Sequence, residues 1–249
     1  MTKVAIVGAA GRMGVQTVAA VQALGADPVA LSRRTGFDLS AHPVDTLSAR
    51  LAGCSAVIDC SDATDRKVAT FTGNAQRLAA AADRAGVTHV VVLSIVGVDR
   101  PGLARMGYYQ GKLAQEQALA VGAAPVSVLR TTQWYEFADM VFMSLPLPGL
   151  GRVGLAPAMA SQPVAGSSVG RRLAELALGD PVGRIELAGP EPMLIPELVR
   201  RVNAARGTPV KVAGFPVPGI PGFSDGSLRP GPDAEIDPVT IQEWIALAH

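Results

Sequence analysis

Short apolar runs alternate with amphipathic stretches through the first half of the chain. Lys3–Val7 (KVAIV) is apolar at nearly every position and predicts a buried strand. A helix pattern follows over Gly11–Leu24, then a second strand at Pro28–Ser32 and a weak helix at Val44–Leu51. The alternation continues with a strand at Ala56–Asp59, a helix at Thr70–Ala85, a strand at His89–Ser94, a long helix at Gly102–Val121 and a strand at Val126–Arg130. Strands without a polar face must be covered on both sides, which is the pattern of a parallel sheet between two helical layers. The expected fold class is α/β, a doubly wound parallel sheet of the Rossmann type. Its binding crevice should lie at the carboxyl ends of the strands.

The pattern changes after residue 145. Of the 19 prolines, 15 lie beyond that point, and Pro146, Pro148 and Gly149 mark the break. Helices are expected near Ser168–Leu178 and Glu197–Ala205, with strands near Arg184–Leu187 and Val210–Val212. Phe215–Gly231 reads as a Pro/Gly loop, and a last helix runs about Thr240–Ala248. Residues 1–145 are expected to form the core and residues 146–249 a small C-terminal cap packed on it as one unit. The second segment is too small and loop-rich to hold a large core alone.

Composition narrows the function classes. Hydrophobic residues make up 49% of the 249 and charged residues 17%, so disorder is excluded. A net charge of +1 lacks the basic footprint of a direct nucleic-acid binder. No apolar run approaches the roughly 18 residues of a membrane span, and the opening strand does not read as a secretory leader. Cys54 and Cys60 make neither a disulfide framework nor a metal knuckle, so a reducing cytoplasm is expected. His42, His89 and His249 are dispersed, and no metal site is expected.

The first strand runs straight into Gly8-Ala-Ala-Gly11-Arg-Met-Gly14, and a helix follows. A dinucleotide pyrophosphate sits on free amides at a helix N-terminus, where the helix dipole favours negative charge. Gly8 suits the tight turn, Gly11 the close approach and Gly14 the packing of helix on strand. Ala10, Arg12 and Met13 complete the loop. The strand–turn–helix context makes this spacing informative; outside it, a glycine-rich turn without ligand would serve as well.

The end of the second strand selects the cofactor. An acid there suits NAD, and arginine suits the 2′-phosphate of NADP. The chain carries Ser32, Arg33 and Arg34. Guanidinium groups bind phosphate through paired donors, so NADP(H) is preferred, with NAD(H) second. Two solvated surface arginines are the bland alternative. Asp38 and Leu39 follow and can border the adenine, and Cys60 and Ser61 close the third strand beside the cofactor.

Ser94 ends a strand, and Tyr108-x-x-x-Lys112 lies on the next helix. With the glycine loop, these residues resemble the short-chain dehydrogenase/reductase superfamily. The segments Val92–Asp99, Tyr108–Glu116, Leu129–Trp134, Gln162–Ala165, Leu187–Glu191 and Gly226–Gly231 with Glu243-Trp244 are similar to its atypical, NmrA-like branch. The resemblance implies that Tyr108 donates a proton, that Lys112 lowers its pKa and grips the nicotinamide ribose, and that Ser94 holds the substrate oxygen. Positions i and i+4 share a helix face, which lets Lys112 support Tyr108. Tyr109 competes for the same role.

Thr131 follows that strand and should lie at the crevice rim beside the nicotinamide. Gln133 is expected to contact substrate, and Trp134, Tyr135, Phe137 and Phe142 form either an apolar wall for a flat substrate or part of the core of the cap. Asp59 and Asp62 read as helix-cap and loop acids, and Arg171-Arg172 and Arg200-Arg201 as solvated helix faces.

The expected function is NADPH-dependent reduction of a small carbonyl or quinone-like compound, by a monomer or homodimer. The alternatives are a non-catalytic NAD(P)-binding redox sensor and an epimerase or isomerase that keeps its nicotinamide.

Overall fold

In β1 (Lys3–Val7), Val4 and Ile6 point to one face of the sheet while Ala5 and Val7 point to the other, and all four are buried. A strand of this kind needs a helical layer on each side, and the computed structural model of the chain supplies both. It describes residues 1–141, 143–147, 151–208 and 210–247. On one side lie α2 (Val44–Leu51), α3 (Val68–Ala85) and α4 (Gly107–Leu119), packed over β1, β2 (Asp27–Leu31), β3 (Ala56–Asp59) and β4 (His89–Ile95). On the other lies α1 (Arg12–Ala23), which packs on Val4, Ile6, Ile58 and Val91.

β5 (Val126–Thr131) extends the sheet, and the chain then leaves it through α5 (Phe137–Val141), β6 (Met143–Leu147), β7 (Gly151–Pro157) and β8 (Ala160–Ser161). It returns with α6 (Gly166–Leu178) and β9 (Arg184–Ala188), leaves again through β10 (Met193–Leu194), α7 (Ile195–Ala205) and β11 (Lys211–Phe215), and closes with β12 (Glu235–Ile236) and α8 (Ile241–Leu247). The main sheet has seven strands in the order β12-β9-β5-β4-β3-β1-β2, and every pair is parallel. The order reverses between β1 and β3, because β2 pairs on one side of β1 and β3 on the other. A crevice forms at such a point, outside the carboxyl ends of the strands.

The segment beyond residue 145 is more than a cap. It adds β9 and β12 to the main sheet, and α6 lies over α1. Gly170 allows that approach, since a Cβ there would stand 2.8 Å from the backbone of Gln16. The remaining elements form two small sheets, β10-β8 and β11-β7-β6. Pro146 lies in β6, an edge strand, where proline is tolerated. A third core joins Leu103 and Tyr109 to Tyr135, Ile195, Leu198, Phe223, Leu228 and Trp244. No helix among the described residues is long and apolar enough to cross a membrane.

Candidate functional site

The loop after β1 turns sharply because Gly8 adopts φ +81°, a left-handed value that side chains disfavour. The Gly8 and Ala9 amides both donate to the Leu31 carbonyl, at 2.9 and 3.1 Å, and the Gly11 amide donates back to Gly8 at 2.8 Å. A Cβ on Gly8 would lie 2.8 Å from the Cys60 carbonyl, and one on Gly14 would run into the Gly8 oxygen and Ala9 backbone. Gly14 therefore seats α1 on the strand end, and Gly8 lets the loop touch the end of β3. Gly11 caps α1 without a side-chain partner. Among the described residues, the amides of Ala10, Arg12, Met13 and Gly14 have no acceptor within the chain. They are concentrated at the positive end of the helix dipole.

A cavity of about 720 Å³ opens beside this loop. Gly8, Ala10, Gly11, Ser32, Arg33, Arg34, Asp38, Leu39, Cys60 and Ser61 line it. Met13 is buried beneath the loop, and Arg12 is exposed at the start of α1. Ser32 begins a 3₁₀ turn, Arg33–Thr35, and its amide donates to Thr35 Oγ1 at 2.9 Å. That turn projects Arg33 and Arg34 into the crevice. Both are exposed, neither has an acidic partner among the described residues, and Arg33 Nη1 reaches only Thr64 Oγ1, at 3.5 Å. The wall also includes Phe37, Ser40, Asp62, Thr64, Asp65, Thr70 and Asn74. The last two lie on α3, which no local signal joins to the β2 end. Ser40 Oγ donates to Asn74 Oδ1 at 3.1 Å and makes that join.

The α4 side chains form a second cluster behind the crevice. Lys112 is only 5% exposed, and its Nζ donates to Gln115 Oε1 at 2.6 Å. Burial lowers its pKa, against Asp59 and Asp62, which act to raise it. Tyr108 packs edge-on against Phe71 and Tyr109, with the Arg66 guanidinium 5.2 Å from its ring centre. Burial pushes the phenol up, Asp62 and Tyr109 add to this, and Arg66 opposes them. Asp62 therefore acts on both the lysine ammonium and the tyrosine hydroxyl, whereas Lys112 is not among the groups that act on Tyr108, so the expected lowering of the tyrosine pKa by Lys112 is not found. Tyr109 is buried against Phe223 in the third core.

Ser94 is 2% exposed, and its hydroxyl donates to Glu116. A hydroxyl has one proton, so Ser94 in this arrangement offers a carbonyl oxygen no donor. Glu116 also takes two bonds from Arg130, which reaches Asp99 at 2.7 Å as well. The polar ends of β4 and β5 are therefore joined to α4 in one network. Asp59 caps no helix: it is buried at the end of β3, accepting from the Ser61 amide at 2.9 Å and from Gln115 at 2.7 Å. Burial pushes the Cys60 thiol up to about 12, so it stays protonated at neutral pH.

At the end of β5, Thr131 Oγ1 accepts from Trp134 Nε1 at 3.0 Å, and Gln133 accepts from Ser161. Tyr135 does not face the crevice: its hydroxyl donates to the Val239 carbonyl at 2.8 Å and its ring packs on Trp244. Phe137 packs on the same third core. Phe142 lies outside the described residues. Both arginine pairs meet acids: Arg171 and Arg172 meet Glu175, Arg172 also Glu235, and Arg200 and Arg201 meet Glu197.

No protein-family model matches the chain, and no curated protein matches it by sequence. Solved structures do match in shape. A triphenylmethane reductase from Citrobacter sp., complexed with NADP(H), superposes with a TM-score of 0.73 at 14% identity, covering 99% of this chain and 100% of that one. A UDP-N-acetylglucosamine 4-epimerase from Bacillus cereus gives 0.72 at 15% identity, over 100% of this chain and 96% of the other. The chain has the Rossmann-type fold of these proteins. An NADPH-dependent quinone oxidoreductase from Escherichia coli, complexed with NADPH, shares the fold with a TM-score of 0.65 at 17% identity, over 86% and 78%. At such identities the likeness extends to the Rossmann-type fold and not to the side chains of the crevice.

Proposed function

We propose that the chain is an NADP(H)-dependent oxidoreductase acting on a small carbonyl or quinone-like compound. One observation carries the reading: the loop that leads into α1 (Gly8, Ala10 and Gly11) and two guanidiniums without acidic partners among the described residues, Arg33 and Arg34, line one cavity. Amides at a helix N-terminus suit a pyrophosphate, and free arginines at the end of β2 suit a ribose 2′-phosphate. The solved structures of like fold that hold NADPH or NADP(H) support the same choice.

When bound, reduced nicotinamide supplies a hydride. The chain's own residues bind and orient. Gly8 and Gly14 let the loop pack tightly on the strand ends, Ser32, Arg33 and Arg34 hold the phosphate, and Lys112 steadies the ribose from behind. Tyr108 holds the proton that a reduced carbonyl oxygen needs, although burial raises its pKa and makes the transfer harder than from an ordinary phenol.

The test is nucleotide calorimetry with both coenzymes. Arg33→Ala with Arg34→Ala should weaken NADPH by tenfold or more, at about 1.4 kcal/mol per decade, and leave NADH nearly unchanged. Equal losses for the two would refute the phosphate assignment. A second reading, nucleotide binding without turnover, is favoured by the Ser94–Glu116 bond, which takes the serine out of a substrate-holding role. A panel of quinones and aldehydes separates the two, since a sensor binds NADPH without consuming it.

A further inference from the structure

Behind the crevice wall, three hydrogen bonds run in series from α4 to the end of β3. Lys112 Nζ donates to Gln115 Oε1 at 2.6 Å, Gln115 Nε2 donates to Asp59 Oδ2 at 2.7 Å, and Asp59 Oδ1 accepts from the Ser61 amide at 2.9 Å. Lys112, Gln115 and Asp59 are all buried. We propose that Asp59 and Gln115 are positioning residues that fix the Lys112 ammonium against the crevice wall and tie it to the Ser61 loop. The role assigned to Lys112 rests on the reading given under Proposed function.

The chemistry dictates how the amide sits. An ammonium only donates and a carboxylate only accepts, so the Gln115 oxygen must face Lys112 and its nitrogen must face Asp59. A buried ammonium without a counter-charge is costly, and Asp59 supplies that charge one side chain away. The amide between them keeps the pair from closing on itself, which leaves the ammonium further donors. Cys60, Asp62 and Glu116 also act on Lys112, and Cys60 and Asp62 line the crevice. The ammonium is therefore held within electrostatic reach of the wall. On the strand side, the same carboxylate shapes the wall by fixing the Ser61 amide.

The test reads Lys112 directly. The chain has four lysines, so labelling with ¹³C and ¹⁵N lysine gives few signals, and Lys112→Arg identifies the relevant one. In the wild type, the Lys112 ammonium protons should exchange slowly enough to be seen near neutral pH. Exchange as fast as that of Lys3 would overturn the proposal without any variant. Asp59→Asn and Gln115→Met both keep side-chain volume. Each should lower the Lys112 titration midpoint, by about one unit or more for the loss of the Asp59 charge. An unchanged midpoint in a folded variant would overturn the proposal. Wild-type calorimetry with NADPH reads the crevice separately. Absence of heat there removes the functional reading, while shifted Lys112 signals still support the positioning chain.

Discussion

Arg130 holds Glu116 at two points, with Nε 3.0 Å from Oε1 and Nη2 2.7 Å from Oε2. Both side chains are nearly sealed from water. The pair joins β5 to α4, and Ser94 of β4 donates to the same carboxylate.

Removing one partner strands the other as a buried charge, which typically costs about 3–5 kcal/mol. Arg130→Met should lower stability by that order in urea unfolding. Replacing both partners by apolar residues of similar volume should recover much of the loss. A single-variant loss under about 1 kcal/mol would show that the pair is hydrated.

Gly14 is sterically required. A Cβ there would run into the carbonyl oxygen of Gly8 and the backbone of Ala9, and backbone cannot step aside as a flexible side chain can. Gly14→Ala should destabilise by about 1–3 kcal/mol, as overpacking does, and weaken NADPH. Thermal unfolding with and without NADPH checks both; a variant with unchanged melting and unchanged ligand shift would contradict the steric account.

Tyr108 bears the proton-donor role in the functional reading. Tyr108→Phe removes the hydroxyl and keeps the ring against Phe71 and Tyr109. Turnover of an active substrate should fall by a factor of about 10² or more, while NADPH binds as before. Unchanged turnover, followed by nicotinamide absorbance, would dismiss the tyrosine.

Alkaline pH should destabilise the fold. The folded-state pKa of Cys60 is pushed up to about 12 from an ordinary 9.0, chiefly by burial, and Tyr108, Tyr109 and Tyr135 also lie above their ordinary value for that reason first. Between pH 9 and 12 the unfolded chain releases the Cys60 proton and the folded chain keeps it. Each step up in pH therefore favours unfolding, by at most about 1.4 kcal/mol per unit for one proton. Lys112 works the other way, because burial makes the folded chain release its proton first. Cys60→Ala should flatten the decline above pH 9 in denaturant titrations. A slope identical to the wild type would show that the thiol carries none of it.

Much of the core was legible because its signals are local. The apolar runs at Lys3–Val7, Ala56–Asp59 and His89–Ser94 match strands, and the spacing of Gly8, Gly11 and Gly14 marks a turn whose sterics the backbone itself imposes. The later half was less legible. β12 is two residues long and exposed, so no pattern announces it, yet it completes the main sheet. Nor does any local rule tell α6 to lie on α1; Gly170 meeting Gln16 is a match between surfaces 154 residues apart.

The sequence alone determined the alternation of buried strands and helices, the glycine cradle and the pair of arginines at the end of β2, because each depends on neighbours within a few positions. Tertiary structure decided which hydroxyls and charges remain free. Ser94 is committed to Glu116, Lys112 to Gln115 and Tyr135 to Val239, through contacts that only packing creates. Even the Lys112–Gln115 bond, three residues apart on one helix, takes its meaning from Asp59 on a distant strand. A side chain's identity is local, but the partner that takes its proton or charge is chosen by the fold.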